Sequence, residues 1–149
     1  MRILVSVSPR MYREAIATSL RQHRPGLEVR IVPPEKTEQQ VKVFGPHLLV
    51  HNDTDGLERA VLEGVRSWVE VCYSDSMDAW ICADGHLEES KDICTATLLR
   101  VVDETAALEE AIDEWALSEL RRVQAAHSAI ILASEDGLSL SRATPMTHS

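Results

Sequence analysis

The chain reads as a doubly wound α/β protein with a mostly parallel sheet, an antiparallel hairpin at one edge and a long C-terminal helix. Three observations predict this. Short β-branched apolar runs alternate with helical periodicity through about residue 74. After that the spacing between strand-like runs falls to a few residues, too short for a parallel crossover. From Thr95 onward the apolar residues return to helical spacing and keep it for more than thirty positions.

Arg2 to Val7 (RILVSV) is a compact apolar run suited to a central parallel strand. Ser8 and Pro9 form a helix start, since serine can accept from free amides and proline tolerates the first helical position. Tyr12, Ala15, Ile16, Ser19, Leu20 and His23 then share a helical face, and Gly26 supplies the stop. The first helix is therefore expected over Pro9 to Arg24. Leu27 to Val32 alternates apolar and charged residues as an edge strand does, and Pro33-Pro34 ends it. Glu35 to Phe44 predicts a short helix or an irregular crossover.

Pro46 to Gly56 (PHLLVHNDTDG) enters on a proline, runs through Leu48, Leu49 and Val50, and ends in polar and acidic residues at a glycine. Leu57, Ala60, Val61, Gly64 and Val65 predict an amphipathic helix leading to the strand Ser67 to Ser74. Asp75, Ser76 and Met77 alone separate it from Asp78 to Ala83, which implies a hairpin. Asp84-Gly85 is a second tight-turn signal before HLEES. The final helix, unbroken to Ala126, would measure about 45 Å at 1.5 Å per residue, so it either bends near Thr105 or extends past the sheet domain. Ala129 to Ser134 suggests a strand or a docked extension, and the Ser/Thr-rich end beyond Glu135 reads as disordered. The expected organisation is a domain over 1–94, a helical region over 95–127 and a tail over 128–149.

Length and charge bound the function. A chain of 149 residues suits one core, and a net charge of -9 opposes the cationic grip that nucleic-acid binding needs. No apolar stretch is long enough to span a membrane, and the N-terminus lacks a secretory signal, so the expectation is a cytoplasmic protein. The three cysteines, Cys72, Cys82 and Cys94, lack zinc-site spacing and predict reduced, partly buried thiols. His47 and His51 lie four apart on a strand, about 13 Å, too far to share a metal. Arg2, Arg10, Arg13, Arg21, Arg24 and Arg30 make the first segment basic, whereas Val101 to Leu120 carries only acids. Those two regions are expected to attract, within one molecule or between two.

The strand carboxyl ends would gather Ser8, the loop Asn52-Asp53-Thr54-Asp55, and Ser74, where ligands bind in open α/β sheets. At these residues the chain resembles the response-regulator receiver family, a flavodoxin-like fold, over roughly its first 75 residues. The resemblance implies a phosphate pocket, and most of that pocket is altered here. Val7 and Ser8 stand where a receiver places magnesium-binding acids. Asn52 stands at the phosphoacceptor aspartate, with Asp53 one place later. Ser74 matches the receiver's hydroxyl, but no lysine matches in Cys82 to Asp84 and the fourth helix is missing. The resemblance thus implies a degenerate receiver, a pseudo-receiver that does not switch by phosphorylation.

LLVHNDTDGL also resembles the signature of haloacid-dehalogenase-type phosphatases, with Asp53 as nucleophile, Asp55 as acid/base, Ser74 as the following hydroxyl and magnesium between them. Against that resemblance, the motif follows the third strand and has no later acidic pair. A plainer reading makes Asp53, Asp55 and Gly56 a turn that caps the next helix. The leading expectation is a non-enzymatic regulatory module with no cofactor and no metal. It would act through a protein partner or as a homodimer, with Trp80, Ile112, Trp115 and Leu120 as anchors and Arg10, Arg13 and Arg21 as a complementary patch.

Overall fold

The computed structural model describes the backbone of residues 1–72 and 78–143, with side chains described through residue 134. Six strands, β1 Arg2–Val5, β2 Glu28–Ile31, β3 Leu48–Asn52, β4 Ser67–Val71, β5 Ala79–Ala83 and β6 His86–Ser90, form one sheet in the order β2-β1-β3-β4-β5-β6. The pairs among β2, β1, β3 and β4 are parallel, and β4-β5 and β5-β6 are antiparallel. The α/β class, the antiparallel edge and the long C-terminal helix follow the sequence reading. The helices are α1 Arg10–His23, α2 Thr37–Phe44, α3 Arg59–Glu63 and α4 Thr95–Ala143, with 3-10 turns at Pro34–Lys36 and Asp53–Asp55.

Strand alternation divides the core into two layers. Ile3, Val5, Leu48, Val50, Val69, Val71 and Ile81 face one side, where Ala17 and Leu20 of α1 and Leu98, Val101 and Val102 of α4 cover them. Leu4, Leu49, Val65 and Trp68 face the other, under Val41 and Phe44 of α2 and Leu62 of α3. Because successive strand residues point to opposite faces, the run Leu48-Leu49-Val50 feeds both layers and must be apolar throughout. That is why β3 reads as an unbroken apolar run rather than an alternating one.

The Asp84-Gly85 turn has φ of 53° and 79° at its two central residues, the left-handed pair that a two-residue hairpin requires. It sets Ala83 opposite His86 and fixes the β5-β6 register. One ion pair between the basic start and the acidic helix forms within the first unit. Arg24 donates to both carboxylate oxygens of Asp103 at 2.9 and 2.8 Å. The pair is open to water, so it orients α1 against α4 more than it stabilises them.

Several expectations are corrected. Ser8 does not cap α1: Pro9 occupies the cap position without a side-chain hydrogen bond, and the Ser8 amide turns inward instead. The final helix does not end near Ala126, and it is not interrupted at Thr105. Thr105 is buried within it and its hydroxyl donates to the Val101 carbonyl at 2.7 Å. Ala129 to Ser134 is helical, not a strand, and the helical backbone continues to Ala143, into the stretch expected to be disordered. An apolar run is ambiguous between the two structures, and no glycine or proline precedes this one to interrupt the helix. Apart from these corrections, the arginines of the expected patch make bonds within their own unit, Arg10 through a side chain that stays 79% exposed. Arg10 pairs with Glu14 at 2.8 Å, Arg13 donates to the Val7 carbonyl and Arg21 to the Val29 carbonyl.

The chain forms two compact units, Met1–Leu108 and Glu109–Ser149. The first holds the sheet and both core layers. The second is helical as far as Ala143, and Trp115, Leu117, Leu120, Val123, Ile130, Ile131 and Leu132 are exposed on it. Truncating the fully buried Leu48 to alanine is expected to cost about 2–5 kcal/mol. Truncating the exposed Leu117 should change stability by less than about 0.5 kcal/mol. Urea unfolding of the two variants checks the contrast.

Candidate functional site

The topology reverses between β1 and β3, and a cavity of about 510 Å³ opens at the carboxyl ends of β1, β3 and β4. Its walls are Val7, Ser8 and Pro9 after β1, Tyr12, Ala15 and Ile16 of α1, and Asn52, Val71 and Cys72 at the ends of β3 and β4. Ile93, Cys94, Thr95 and Leu98 close it from the start of α4. None of these described wall residues is charged. The described wall is mainly apolar, with the Ser8, Tyr12 and Thr95 hydroxyls and the Asn52 carboxamide among its polar groups.

Asn52 is the polar centre of this mouth. It is 2% exposed, and its carboxamide works in both directions. Oδ1 accepts the Ser8 amide at 2.5 Å, and Nδ2 donates to the Val71 carbonyl at 3.3 Å. One side chain therefore ties the exit of β1 to the end of β4 across β3. Its own amide donates to Asp55 Oδ2 at 3.1 Å. A carboxylate at this position would keep the first bond and lose the second.

The remaining sequence candidates divide around that centre. Val7, Ser8 and Asn52 meet at the cavity. Asp53 and Asp55 belong to the 3-10 turn that leaves β3, which ends at Gly56 in the left-handed region with φ of 64°. The turn was expected to cap the next helix, but α3 begins later, at Arg59 after Glu58. Asp55 is turned inward, its side chain 4% exposed, and burial raises its pKa above the usual carboxylate range. Ser74 lies outside the described residues. Trp80 is half-exposed on β5 of the first unit, whereas Trp115 and Leu120 are exposed and Ile112 half-buried in the second.

On the opposite face of the sheet His51 sits beside Glu70, its registered partner on β4. His51 Nδ1 lies 2.9 Å from the Asn52 carbonyl and so carries the proton that it donates. Nε2 is left buried without a hydrogen-bond partner, 3.8 Å from Glu70 Oε2 and with the Trp68 ring edge-on at 6.2 Å. Burial pushes the imidazole down to about 4, against smaller opposing effects of the Asn52 carbonyl and Asp53. Burial also raises Glu70, with Asp53 and Asp55 adding to it.

Cys72 and Cys94 were not expected at the site, because neither has the spacing of a metal or redox motif. The signal in the sequence is Cys94 immediately before Thr95, at a helix start followed by Ala96 and Thr97. Cys94 Sγ lies 3.4 Å from Thr97 Oγ1. That hydroxyl, with the Thr97 and Ala96 amides, holds the thiol below its usual range. Cys72 goes the other way, raised by burial and then by Asp53, Glu70, Asp78 and Glu89.

No family model, no curated protein and no solved structure matches this chain.

Two outcomes are expected here. Asn52→Asp removes a buried donor from the Val71 carbonyl, and should lower unfolding free energy by about 1–3 kcal/mol in urea titrations at neutral pH. His51 is neutral in the folded protein and reaches about 4 against an ordinary 6.5. Its contribution to stability is therefore complete above pH 6.5 and lost as the pH falls toward 4, by up to about 3 kcal/mol. Asp55 and Glu70, raised by burial, act in the opposite sense, favouring the fold at acid pH and losing that contribution as the pH rises. Comparing the pH dependence of unfolding in wild type and His51→Leu isolates the histidine. The variant should lose the decline between pH 6.5 and 4.

Proposed function

We propose that the chain is a non-enzymatic regulatory module, a phosphorylation-independent pseudo-receiver that works through protein contacts and associates with a second copy of itself. The observation that carries this reading is the uncovered apolar stripe of the second unit. Trp115, Leu120, Val123 and Ile130 are 66%, 54%, 60% and 67% exposed. With Ile112, Ala116 and His127 they recur at steps of three and four, so they share one helix face. A contiguous exposed apolar stripe on a helix marks a surface for binding another apolar surface. A second copy supplies a matching stripe, since a two-fold pair presents the same patch from both sides.

The site chemistry supports the same reading. Asn52 occupies the position of a receiver's phosphoacceptor, and its carboxamide is spent on Ser8 and Val71. The strand order β2-β1-β3-β4 is that of flavodoxin-like sheets, in keeping with a receiver ancestry. The alternative phosphatase reading needs Asp55 free to exchange a proton with substrate, whereas its carboxylate accepts the Asn52 amide and so serves the turn that leaves β3.

The expected result is a dimer at micromolar concentration by sedimentation equilibrium. Trp115→Ala combined with Leu120→Ala should give a monomer whose sheet domain unfolds at an unchanged denaturant midpoint at concentrations where wild type is also monomeric. A wild-type protein that stays monomeric up to about 100 μM, which puts any dimer above roughly -5.5 kcal/mol, removes the self-association part of the proposal.

A further inference from the structure

We infer that the cavity at the mouths of β1, β3 and β4 is a binding site for a small, neutral, apolar electrophile, an α,β-unsaturated carbonyl compound, which Cys94 captures as a thioether. This goes beyond the protein-contact reading and does not depend on it. Three separate features of the first unit converge on it.

The first is the cavity. At about 510 Å³ it has the size of a small-molecule site, and it lies at the switch point of the sheet. The second is the character of its walls. Val7, Ile16, Val71, Ile93 and Leu98 accept hydrocarbon, the Ser8 and Tyr12 hydroxyls can donate to a carbonyl oxygen, and no described wall residue bears a charge. The third is that two thiols line the same space and their surroundings divide them chemically. Cys94 is exposed at the start of α4, within 3.4 Å of the Thr97 hydroxyl. Cys72 is half-buried, and the carboxylates of Asp53, Glu70, Asp78 and Glu89 oppose its ionisation. A thiolate is the nucleophile, so the pair offers one reactive sulfur and one inert one.

The step balances without an oxidant. The Cys94 thiol gives its proton to water, and the thiolate lone pair forms the bond to the β-carbon. The alkene π pair moves through the carbonyl to its oxygen, and the resulting enolate takes a proton from water at the α-carbon. The product is the saturated thioether, formed by net addition with no leaving group. Thr97 acts as a positioning residue, because its hydroxyl stabilises the sulfur anion without touching the ligand.

The test uses the full-length protein with acrylamide and N-hexylacrylamide as probes, reading the alkylation rate of each cysteine by peptide mass spectrometry. Cys94 should react ahead of Cys72 and Cys82. The hexyl probe should outpace acrylamide at Cys94 by about tenfold after division by the same ratio for glutathione, as burial of about two methylenes implies. Ala15→Trp, at an exposed wall position, should abolish the hexyl preference. Thr97→Val should move the pH midpoint of Cys94 alkylation upward and keep the hexyl preference. Equal rates at the three thiols overturn the capture step. A hexyl preference no greater than that of glutathione, or one that survives Ala15→Trp, overturns the cavity as the binding site.

Discussion

The carboxamide of Asn52 is the constraint on which the sheet mouth depends. Its oxygen holds the amide after β1 and its nitrogen holds the last carbonyl of β4, so one side chain joins the carboxyl ends of three neighbouring strands. The amide carries an acceptor and a donor at every pH, which an ionised carboxylate on the same stem does not. The residue is buried, so each unmade bond would leave an uncompensated polar group, and both are made. The cavity beyond takes its outline from this clamp, because Val7, Ser8, Val71 and Cys72 stand where the clamped strands release them.

Most of the fold was legible because its determinants are local. Asp84-Gly85 announces a turn that needs two left-handed residues, and the alternation of Leu27 to Val32 announces an edge. The unbroken run Leu48 to Val50 announces a strand buried on both sides. What escaped depends on contacts distant in sequence or on ambiguous composition. Ser8 looks like a cap by type, yet its amide is drawn to Asn52, 44 residues away. Ala129 to Ser134 fits a strand as well as a helix until the helix already under way at Thr95 is seen to continue through it.

The candidate site was half legible for the same reason. Position along the sheet pointed to Val7, Ser8 and Asn52, and those three do meet. Asp53 and Asp55 carry the more suggestive chemistry, but strand parity and the 3-10 turn take them to a different environment from the cavity wall. The fourth wall is built from Ile93 to Leu98, a helix start that nothing in the β-α-β pattern assigns to this end of the sheet. Parity also explains the neighbouring histidine. One residue before Asn52, His51 faces the other layer, where its unpaired nitrogen, Glu70 and the Trp68 ring form a polar inclusion beside an apolar core.

The β6 edge has a consequence for how copies of this chain can meet. An unpaired strand edge ordinarily invites another strand to extend the sheet. Here β6 is His86–Ser90, with Glu88 and Glu89 at its centre, and Glu88 is held by Arg100 of α4. A strand arriving along that edge would bring a second pair of carboxylates beside the first, and like charges placed side by side across strands repel. This edge of the sheet is thus electrostatically fenced against pairing with the same edge of a second copy.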